Sequence, residues 1–424
     1  MPARRVNTGE GGGNPVDRNR PVRLLIIDKT AVLEHVRQRW DRLAATPDID
    51  LTLLTPSHWI ENYRRYDFVT DPAHRYRAII GRGAFPGREL IGFYRSGLRR
   101  AFELSRPDVV LMMEESFSMF GLQVARARRR WSPDAPLIFY NNNIVSYDLP
   151  GFRLSRLYRW IARKVTPQAD LGLCVNSRAL DVLVETGFPT PGVELFYGVD
   201  DRSFFPARDE SERQELRRGL GIPAEAVAIL CIGRLLEGKG YQDVVEAVAR
   251  VQQHNRLIPI HLMIVGSGPY REELAQRASD RLTTGTYSFV PAVSFDQVPT
   301  LMRSVDLHIL PSHPELNEQF GRVNVEAMLC GILAVASRTG GMPDVVGEGG
   351  ILFESGNVDE LAAIIADVSL HPDRFEEVRR RGRERALERF SVEGFLDGLR
   401  EITVRLFRGD PPAQVAAEFR RGER

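Results

Sequence analysis

The sequence has few cysteines and lacks long apolar segments. Its three cysteines, Cys174, Cys231 and Cys330, lie in apolar stretches without metal-ligand spacing. This usage favours reduced, buried thiols and a cytoplasmic protein. No apolar run approaches the roughly 20 residues that span a bilayer, so the sequence predicts no membrane-spanning helix. The polar, glycine-rich residues 1–20 do not resemble a signal peptide and predict a disordered leader.

Charge is balanced overall but divided unevenly along the chain. The formal net charge is +1. Residues 1–190 carry 29 basic and 20 acidic side chains, whereas the remainder carries 28 and 36. The basic first half indicates an anionic partner, such as a membrane surface; solvated charged faces are the alternative. A chain of 424 residues is too long for one core and predicts two domains.

Short, nearly continuous apolar runs alternate with amphipathic stretches in both halves. This βαβ repetition predicts two α/β domains with parallel sheets and right-handed crossovers. We expect a first domain over residues 21–197 and a second over residues 198–388, with a hinge between them. Residues 389–408 predict a helix that crosses back to the first domain, and residues 409–424 a loose tail. The predicted strands are 22–28, 50–56, 77–81, 109–114, 136–140, 171–176 and 193–197 in the first half, and 227–233, 260–266, 287–292, 307–311, 332–337 and 350–354 in the second.

The loop after the first strand of the second domain reads GRLLEGKG and begins at Gly233. Glycines let the backbone approach a ligand closely, and a helix start favours negative charge. Arg234 and Lys239 add two cations, which together predict a diphosphate site. Lys239 is informative because the chain has only three lysines among many arginines. The alternative is a surface loop with incidental charge.

Two carboxylates flank a Phe-Gly turn in the segment NEQFGRVNVE, with Glu318 on a loop and Glu326 on the following helix. Carboxylates accept paired hydrogen bonds from vicinal hydroxyls, which a ribose or a hexose offers. The N–H groups of Phe320, Gly321 and Arg322 are expected to meet a phosphate or sugar oxygen at the helix start. The alternatives are a surface helix-dipole carboxylate for Glu318 and a buried acid paired with an arginine for Glu326.

Two further turns follow strands of the second domain. The N–H groups of Thr339, Gly340 and Gly341 predict an anion contact in the same cleft, with a helix cap as the alternative. The segment VGSGPYREEL lacks the third glycine of a dinucleotide fingerprint and indicates only a tight strand-to-helix turn. No D-x-D motif stands at the cleft, since Asp48 and Asp50 begin an apolar strand, and we predict no metal site.

In combination, these motifs resemble the donor domain of glycosyltransferase family 4. GRLLEGKG, the G-S-G-P turn, the two glutamates around Phe-Gly, TGGMPDVV and the hinge GVDDRSFFP all take part, and the resemblance covers residues 22 to 407. The segment EQFGR is similar to enzymes of exopolysaccharide assembly. The resemblance implies the GT-B fold, in which two doubly wound parallel-sheet, Rossmann-like domains face a cleft. It also implies a hexosyltransferase that retains anomeric configuration and uses a UDP- or GDP-sugar.

The resemblance implies a role for each candidate. Arg234 and Lys239 would neutralise the donor diphosphate, Glu326 would accept from the ribose hydroxyls, and Glu318 would hold the transferred sugar. The loop near Val290 would lie against the base. The leaving phosphate would accept the proton of the acceptor, a glycan or a lipid-linked sugar, without a protein nucleophile, metal or other cofactor. No nucleic acid is expected as a partner.

The first domain departs from the family pattern in its loops. Lys29 and Thr30 stand in place of a glycine-rich loop, and their position indicates contact with phosphate or acceptor. Asn142 and Asn143 stand where many members carry a histidine. Glu115, with its neighbour, is expected to touch acceptor hydroxyls or to form an internal salt bridge. These departures favour a second hypothesis, a non-catalytic nucleotide-sugar-binding partner or sensor.

A helical stretch in the first domain carries Arg156, Arg159 and Arg163 on one stripe, with Tyr158 and Trp160 nearby. Such a stripe is typical of a membrane surface that bears a lipid-linked acceptor. We therefore expect peripheral association with the inner face of a membrane. The alternative is a solvated cationic face.

Overall fold

The computed structural model describes residue 18 and residues 20–61, 64–88, 91–113, 116–142, 155–185, 192–196, 198–255, 258–316 and 318–420. The expected leader and the candidates Glu115 and Asn143 lie outside the described residues, apart from residues 18 and 20 of the leader.

A parallel sheet forms the centre of the first domain because its short apolar strands are buried on both faces. The strands of this domain are β1 (Val22–Ile27), β2 (Ile49–Pro56), β3 (His58–Glu61), β4 (Arg64–Asp67), β5 (Arg77–Gly81), β6 (Gly83–Ala84), β7 (Phe93–Tyr94), β8 (Val109–Met112), β9 (Leu137–Asn141), β10 (Leu171–Cys174) and β11 (Val193–Glu194). The main sheet has the order β11–β10–β9–β8–β1–β2–β5. The antiparallel pairs β3–β4 and β6–β7 were not predicted, because they are short and carry few apolar residues.

The described part of this domain contains five α-helices: α1 (Glu34–Ala44), α2 (Leu98–Ser105), α3 (Met119–Trp131), α4 (Ser155–Val165) and α5 (Ser177–Glu185). The fully buried Trp40 fixes α1 to the end of β1, since its indole N–H donates to Asp28 Oδ2 at 3.0 Å. The start of α1 is thereby held at the carboxyl edge of the sheet, where ligands lie in α/β folds.

The second domain repeats the architecture with a six-stranded parallel sheet. Its strands are β12 (Val227–Ile232), β13 (Ile260–Val265), β14 (Tyr287–Val290), β15 (Leu307–Leu310), β16 (Leu333–Ser337) and β17 (Ile351–Phe353), in the order β14–β13–β12–β15–β16–β17. Its helices are α6 (Glu210–Gly219), α7 (Tyr241–His254), α8 (Arg271–Arg281), α9 (Val298–Arg303), α10 (Arg322–Leu329), α11 (Met342–Val346), α12 (Val358–Leu370) and α13 (Glu376–Phe390). The prediction of two doubly wound parallel sheets is confirmed.

The chain ends with α14 (Val392–Arg408) and α15 (Pro412–Arg420). Helix α14 packs on the first domain: the ring of Phe395 lies 6.5 Å from that of Trp40, and Arg400 Nε lies 2.8 Å from Asp48 Oδ2. The expectation of a loose tail is wrong for α15, because Val415 and Ala416 are fully buried. Phe419 also packs against the core, and Glu418 forms an ion pair with Arg405 of α14.

Candidate functional site

The loops that follow the strands of the two sheets meet between the domains. Asn176, just after β10, donates through Nδ2 to the carbonyl oxygen of Gln319 at 2.5 Å. Ser177 Oγ donates to Asp344 Oδ2 at 2.6 Å. His35 stacks on Phe295, with ring centroids 4.9 Å apart and planes inclined by 25°. The carboxyl edges of the two sheets therefore face each other, which is where open α/β sheets bind ligands.

The loop after β12 is held against the loop after β13. The N–H of Leu235 donates to the carbonyl oxygen of Ser267 at 3.0 Å. Gly266 has a φ of 149°, and a Cβ there would overlap the carbonyl oxygen of Gly233. Only glycine fits this close approach. The S-G-P turn therefore supports the neighbouring cationic loop.

Lys239 and Glu318 form an ion pair at this edge. Lys239 Nζ lies 2.5 Å from Glu318 Oε2, and the two side chains are 10% and 18% exposed. Ser312 Oγ donates to the same oxygen at 3.1 Å. Arg234, in contrast, is exposed and makes no ion pair with any residue that the structure describes. Lys239 and Glu318, both predicted from the sequence, thus lie together, but each neutralises the charge of the other.

Glu326 is buried on α10, with a side chain only 4% exposed. Burial raises the pKa of this carboxyl group, and Arg322 lowers it in part. Arg322 Nε lies 2.8 Å from Glu326 Oε1, so these residues, one helical turn apart on α10, form an ion pair. The N–H group is not aligned for a hydrogen bond to the carboxylate. The structure shows the arginine-paired acid that was the alternative interpretation for Glu326. Its role toward a ribose stays a proposal.

The turn before α11 supports the loop that carries Glu318. The N–H of Gly341 donates to the carbonyl oxygen of Glu318 at 2.9 Å. Gly340 has a φ of 57°, and a Cβ there would overlap the same carbonyl group. The expected anion contact is therefore corrected for Gly341, because its N–H is already used within the protein.

Three further candidates of the second domain are Phe320, Gly321 and Val290. Phe320 is buried in an aromatic cluster, with its ring centroid 6.2 Å from that of Phe196. Gly321 adopts the left-handed conformation directly before α10 begins at Arg322. Val290 is half-buried at the end of β14. Gly321 thus makes the turn that begins α10, and β14 ends at Val290.

The first-domain candidates make mostly internal contacts. Lys29 is buried, and its Nζ lies 5.8 Å from the centroid of the Trp59 ring. Thr30 Oγ1 donates to Asp28 Oδ1 at 2.6 Å, so its hydroxyl proton is already used. Asn142 is half-buried, and its Oδ1 has no hydrogen-bond partner among the described residues.

Sequence reasoning missed several polar groups near the site. The hydroxyl of Tyr241 is fully buried beside Gly233 and has no partner in the described part of the chain. Asn324 is also fully buried, with neither side-chain polar atom bonded to a described residue. The signal for Asn324 was a polar residue inside an apolar helix. Tyr241 carried no such signal, because a tyrosine at a helix start is commonplace.

Within the described ranges, no group of three or more His, Cys, Asp or Glu is arranged to hold a metal ion. None of the described helices combines the length and apolarity needed to traverse a bilayer.

Comparison with known proteins relates the second domain to one family. Residues 212–386 match the family model of glycosyl transferases group 1. A GDP-mannose-dependent alpha-(1-6)-phosphatidylinositol monomannoside mannosyltransferase of Mycolicibacterium smegmatis is 28% identical over 56% of this chain and 63% of that protein. A 2-deoxystreptamine glucosyltransferase of Streptomyces kanamyceticus is 30% identical over 43% of this chain and 46% of that protein. The chain thus spans less than two thirds of the length of these relatives.

Solved structures share the fold of both domains. Anabaena Alr3699/HepE, solved in complex with UDP, has a TM-score of 0.65 at 19% identity, over 89% of this chain and 98% of that chain. Sucrose-phosphate synthase of Thermosynechococcus elongatus has a TM-score of 0.67 at 18% identity, over 91% and 99%. The fold is therefore GT-B, and the second domain carries a glycosyl transferases group 1 domain. The match of residues 212–386 agrees with the glycosyltransferase resemblance found in the sequence, and the assignment to family 4 stays a prediction.

Proposed function

We propose that the protein is a retaining hexosyltransferase of polysaccharide biosynthesis. It moves a sugar from a nucleoside-diphosphate sugar to a hydroxyl of a glycan, lipid-linked or small-molecule acceptor. The observation that carries this proposal is the ion pair of Lys239 and Glu318 at the carboxyl edge of the second sheet, in the cleft between the domains. One group suits a phosphate and the other suits sugar hydroxyls.

In this scheme the donor exchanges partners with the ion pair. The diphosphate takes Lys239 and Arg234, while the hydroxyls of the transferred sugar take Glu318. The ribose reaches Glu326, and the base lies against the loop near Val290. The name of one relative specifies GDP-mannose, and one solved neighbour was crystallised with UDP-glucose. We accordingly propose a UDP- or GDP-hexose as the donor.

The chemistry follows from where charge develops. When the glycosidic bond breaks, negative charge collects on the terminal phosphate, and fixed cations stabilise it without reorganisation. That phosphate accepts the proton of the incoming acceptor hydroxyl on the same face of the sugar, which gives retention. Lys239 and Arg234 supply the positive charge, so the scheme requires neither a metal nor another cofactor.

We assign the acceptor to the first domain. Lys29 and Thr30 follow β1, and Asn142 follows β9. Glu115 and Asn143, outside the described residues, complete the proposed set. Helix α4 presents an exposed surface for a membrane, with Leu157 41% and Trp160 51% exposed among its arginines. Co-sedimentation with liposomes tests this surface: binding that does not depend on anionic lipid contradicts it.

We also propose a functional division of the chain. Residues 21–197 form the acceptor side and residues 198–388 the donor domain. Residues 389–408 return to the first domain, which the contacts of Phe395 and Arg400 in α14 support.

Nucleotide binding and turnover test the proposal together. A thermal-shift screen of UDP- and GDP-sugars should reveal a stabilising donor, since a ligand that binds only the folded state raises its stability. Lys239→Ala should weaken nucleotide binding by about 1.5–3 kcal/mol, the usual contribution of a hydrogen bond to a charged group. With an acceptor present, nucleoside diphosphate should be released, and NMR of the product should show the donor's anomer. Absence of binding to any nucleotide sugar contradicts the proposal.

A non-catalytic nucleotide-sugar-binding protein is the second candidate. It is favoured by the first-domain loop, where Asp28 already holds the hydroxyl of Thr30. Donor binding without turnover across a broad acceptor panel would support this candidate.

A further inference from the structure

We propose that Arg322 is a positioning residue for the donor's ribose, holding the carboxylate of Glu326 ready to accept from the ribose hydroxyls. The inference rests on the proposed function. It goes further by assigning the side chain of Arg322, rather than its backbone, to substrate recognition. It also specifies the ligand class: ribonucleotides are favoured over 2′-deoxyribonucleotides.

The first step is the burial of Glu326. Only 4% of its side chain is exposed, and a buried carboxylate without a partner is costly. Burial raises the pKa of Glu326, and Arg322 is the group that opposes this change. Without the arginine, the acid would tend to take up a proton and would lose acceptor capacity toward a hydroxyl. Arg322 therefore opposes the effect of burial and favours the hydroxyl-accepting form of the acid.

The second step is the placement of the guanidinium. Its central carbon lies 4.7 Å from the centroid of the Phe295 ring, within the range of a cation–π contact. Phe295 is itself fixed, since His35 stacks on it at 4.9 Å and Phe204 meets it edge-on at 5.6 Å. The arginine is thus supported on a packed aromatic group, and its orientation does not depend on the carboxylate alone.

The third step concerns charge around the guanidinium. His35 comes from the first domain, and burial, followed by the neighbouring arginines, lowers its pKa to about 3. The imidazole is therefore neutral at physiological pH and does not repel Arg322. A neutral ring from the opposite domain thus completes the support without competing for Glu326.

The fourth step concerns the exposure of Arg322 to the space between the domains. The side chain of Arg322 is 36% exposed, and together with His35 and Phe295 it lines a cavity of about 510 Å³ between the domains. Arg322 thus connects a buried acid with open space. Glu326 does not itself line this cavity, so the guanidinium is the member of the pair that a ligand in the cavity meets first. A carboxylate that is already held by this guanidinium lowers the ordering cost of binding.

The test compares ribonucleotides with 2′-deoxyribonucleotides by isothermal titration calorimetry. UDP, 2′-deoxy-UDP, GDP and 2′-deoxy-GDP are titrated into the full chain and into Arg322→Met, Arg322→Lys and Phe295→Leu. Arg281→Met is the matched control, because Arg281 pairs with Glu246 at 2.6 Å on the surface of the same domain. Circular dichroism confirms that each variant is folded.

We expect the wild-type chain and Arg281→Met to prefer the ribonucleotide by about tenfold, as loss of one hydrogen bond to a charged group implies. Arg322→Met should reduce this ratio to within about twofold, whereas Arg322→Lys should keep an intermediate ratio, since lysine restores charge without a planar fork. Phe295→Leu, which removes only the support, should lower the ratio about threefold.

The outcomes separate the two proposals. A wild-type chain that binds no nucleotide overturns the proposed function, and this inference with it. A wild-type preference that Arg322→Met leaves unchanged overturns the inference alone. So does an equal loss of affinity for both sugars, because that marks a general structural or phosphate-binding role. If Arg322→Met does not fold, an unchanged ratio in Arg322→Lys and Phe295→Leu has the same meaning.

Discussion

Replacing Glu318 by glutamine should change the affinities for a nucleoside diphosphate and for its sugar conjugate in opposite directions. Glu318→Gln removes one charge and keeps the shape of the side chain. In the empty cleft, Glu318 competes with any phosphate for Lys239, since Nζ and Oε2 lie 2.5 Å apart in a mostly buried setting. Without the carboxylate, Lys239 can bind the diphosphate without first breaking an ion pair.

The magnitudes follow from that geometry. Two unit charges 4 Å apart interact by about 4 kcal/mol at the effective dielectric of a protein surface, and desolvation offsets much of this. We therefore expect UDP or GDP to bind about 1 kcal/mol more tightly to Glu318→Gln, which is about fivefold. The conjugated sugar loses a charge-assisted hydrogen bond of about 1.5–3 kcal/mol. The preference for nucleotide sugar over nucleotide should thus fall by about 10-fold to 150-fold.

Calorimetry with the nucleotide sugar that the thermal-shift screen selects, and with its nucleoside diphosphate, measures both affinities. Glu315→Gln is the matched control, because Glu315 lies in the same loop with a side chain that is 70% exposed. It removes the same charge without touching the pair. If Glu318→Gln changes both affinities in the same direction, the partner exchange between Lys239 and the donor is refuted.

Three further predictions concern neighbouring groups. Tyr241→Phe removes a buried hydroxyl that has no partner among the described residues, so the unfolding temperature should not fall, while the Kd for nucleoside diphosphate should rise about threefold if the hydroxyl reaches the ligand. Gly340→Ala should lower the free energy of unfolding in urea by about 1–3 kcal/mol, because its φ is 57° and a Cβ would overlap the adjacent loop. Burial alone would raise the pKa of Asp108, but hydrogen bonds from Arg20 and Arg23 hold it at about 2. Asp108 therefore stabilises the fold above its ordinary pKa of 3.8 and loses this effect as the pH falls through about 2. Asp108→Asn should accordingly be destabilised by about 1–3 kcal/mol at pH 7 and should approach the wild type only below about pH 2.

The sheets were predictable because their strands are buried on both faces. A run such as VAILCI needs no partner information to indicate a parallel strand, and it forms β12. The hairpin of β3 and β4 was not predictable in this way, because the four-residue strands HWIE and RRYD are too short and too polar to form an apolar pattern. Helix α15 was missed for a related reason: the apolar residues that dock it, among them the buried Val415 and Ala416, stand among polar residues and form no clear pattern.

The site was predictable in its members but not in its pairings. Motif spacing placed Lys239 and Glu318 in one cleft, yet their direct contact joins residues 79 positions apart and depends on tertiary packing. The pair of Arg322 and Glu326 was available from the sequence, since residues four apart lie on one face of a helix. Sequence reasoning treated Arg322 only as a backbone donor. The stacking of His35 on Phe295 joins a residue of the first domain to one of the second, so no local sequence pattern indicates it.

The pairings suggest why a donor would bind as a whole. With the cleft empty, Glu318 and Glu326 each have a cationic partner, so neither is left as an uncompensated buried charge. On the proposed function, a nucleoside diphosphate alone draws Lys239 from Glu318 and leaves that acid without a cationic partner. A nucleotide sugar supplies hydroxyls in its place. Binding of the two halves of the donor is therefore cooperative, and after transfer the restored attraction of Glu318 for Lys239 favours release of the diphosphate.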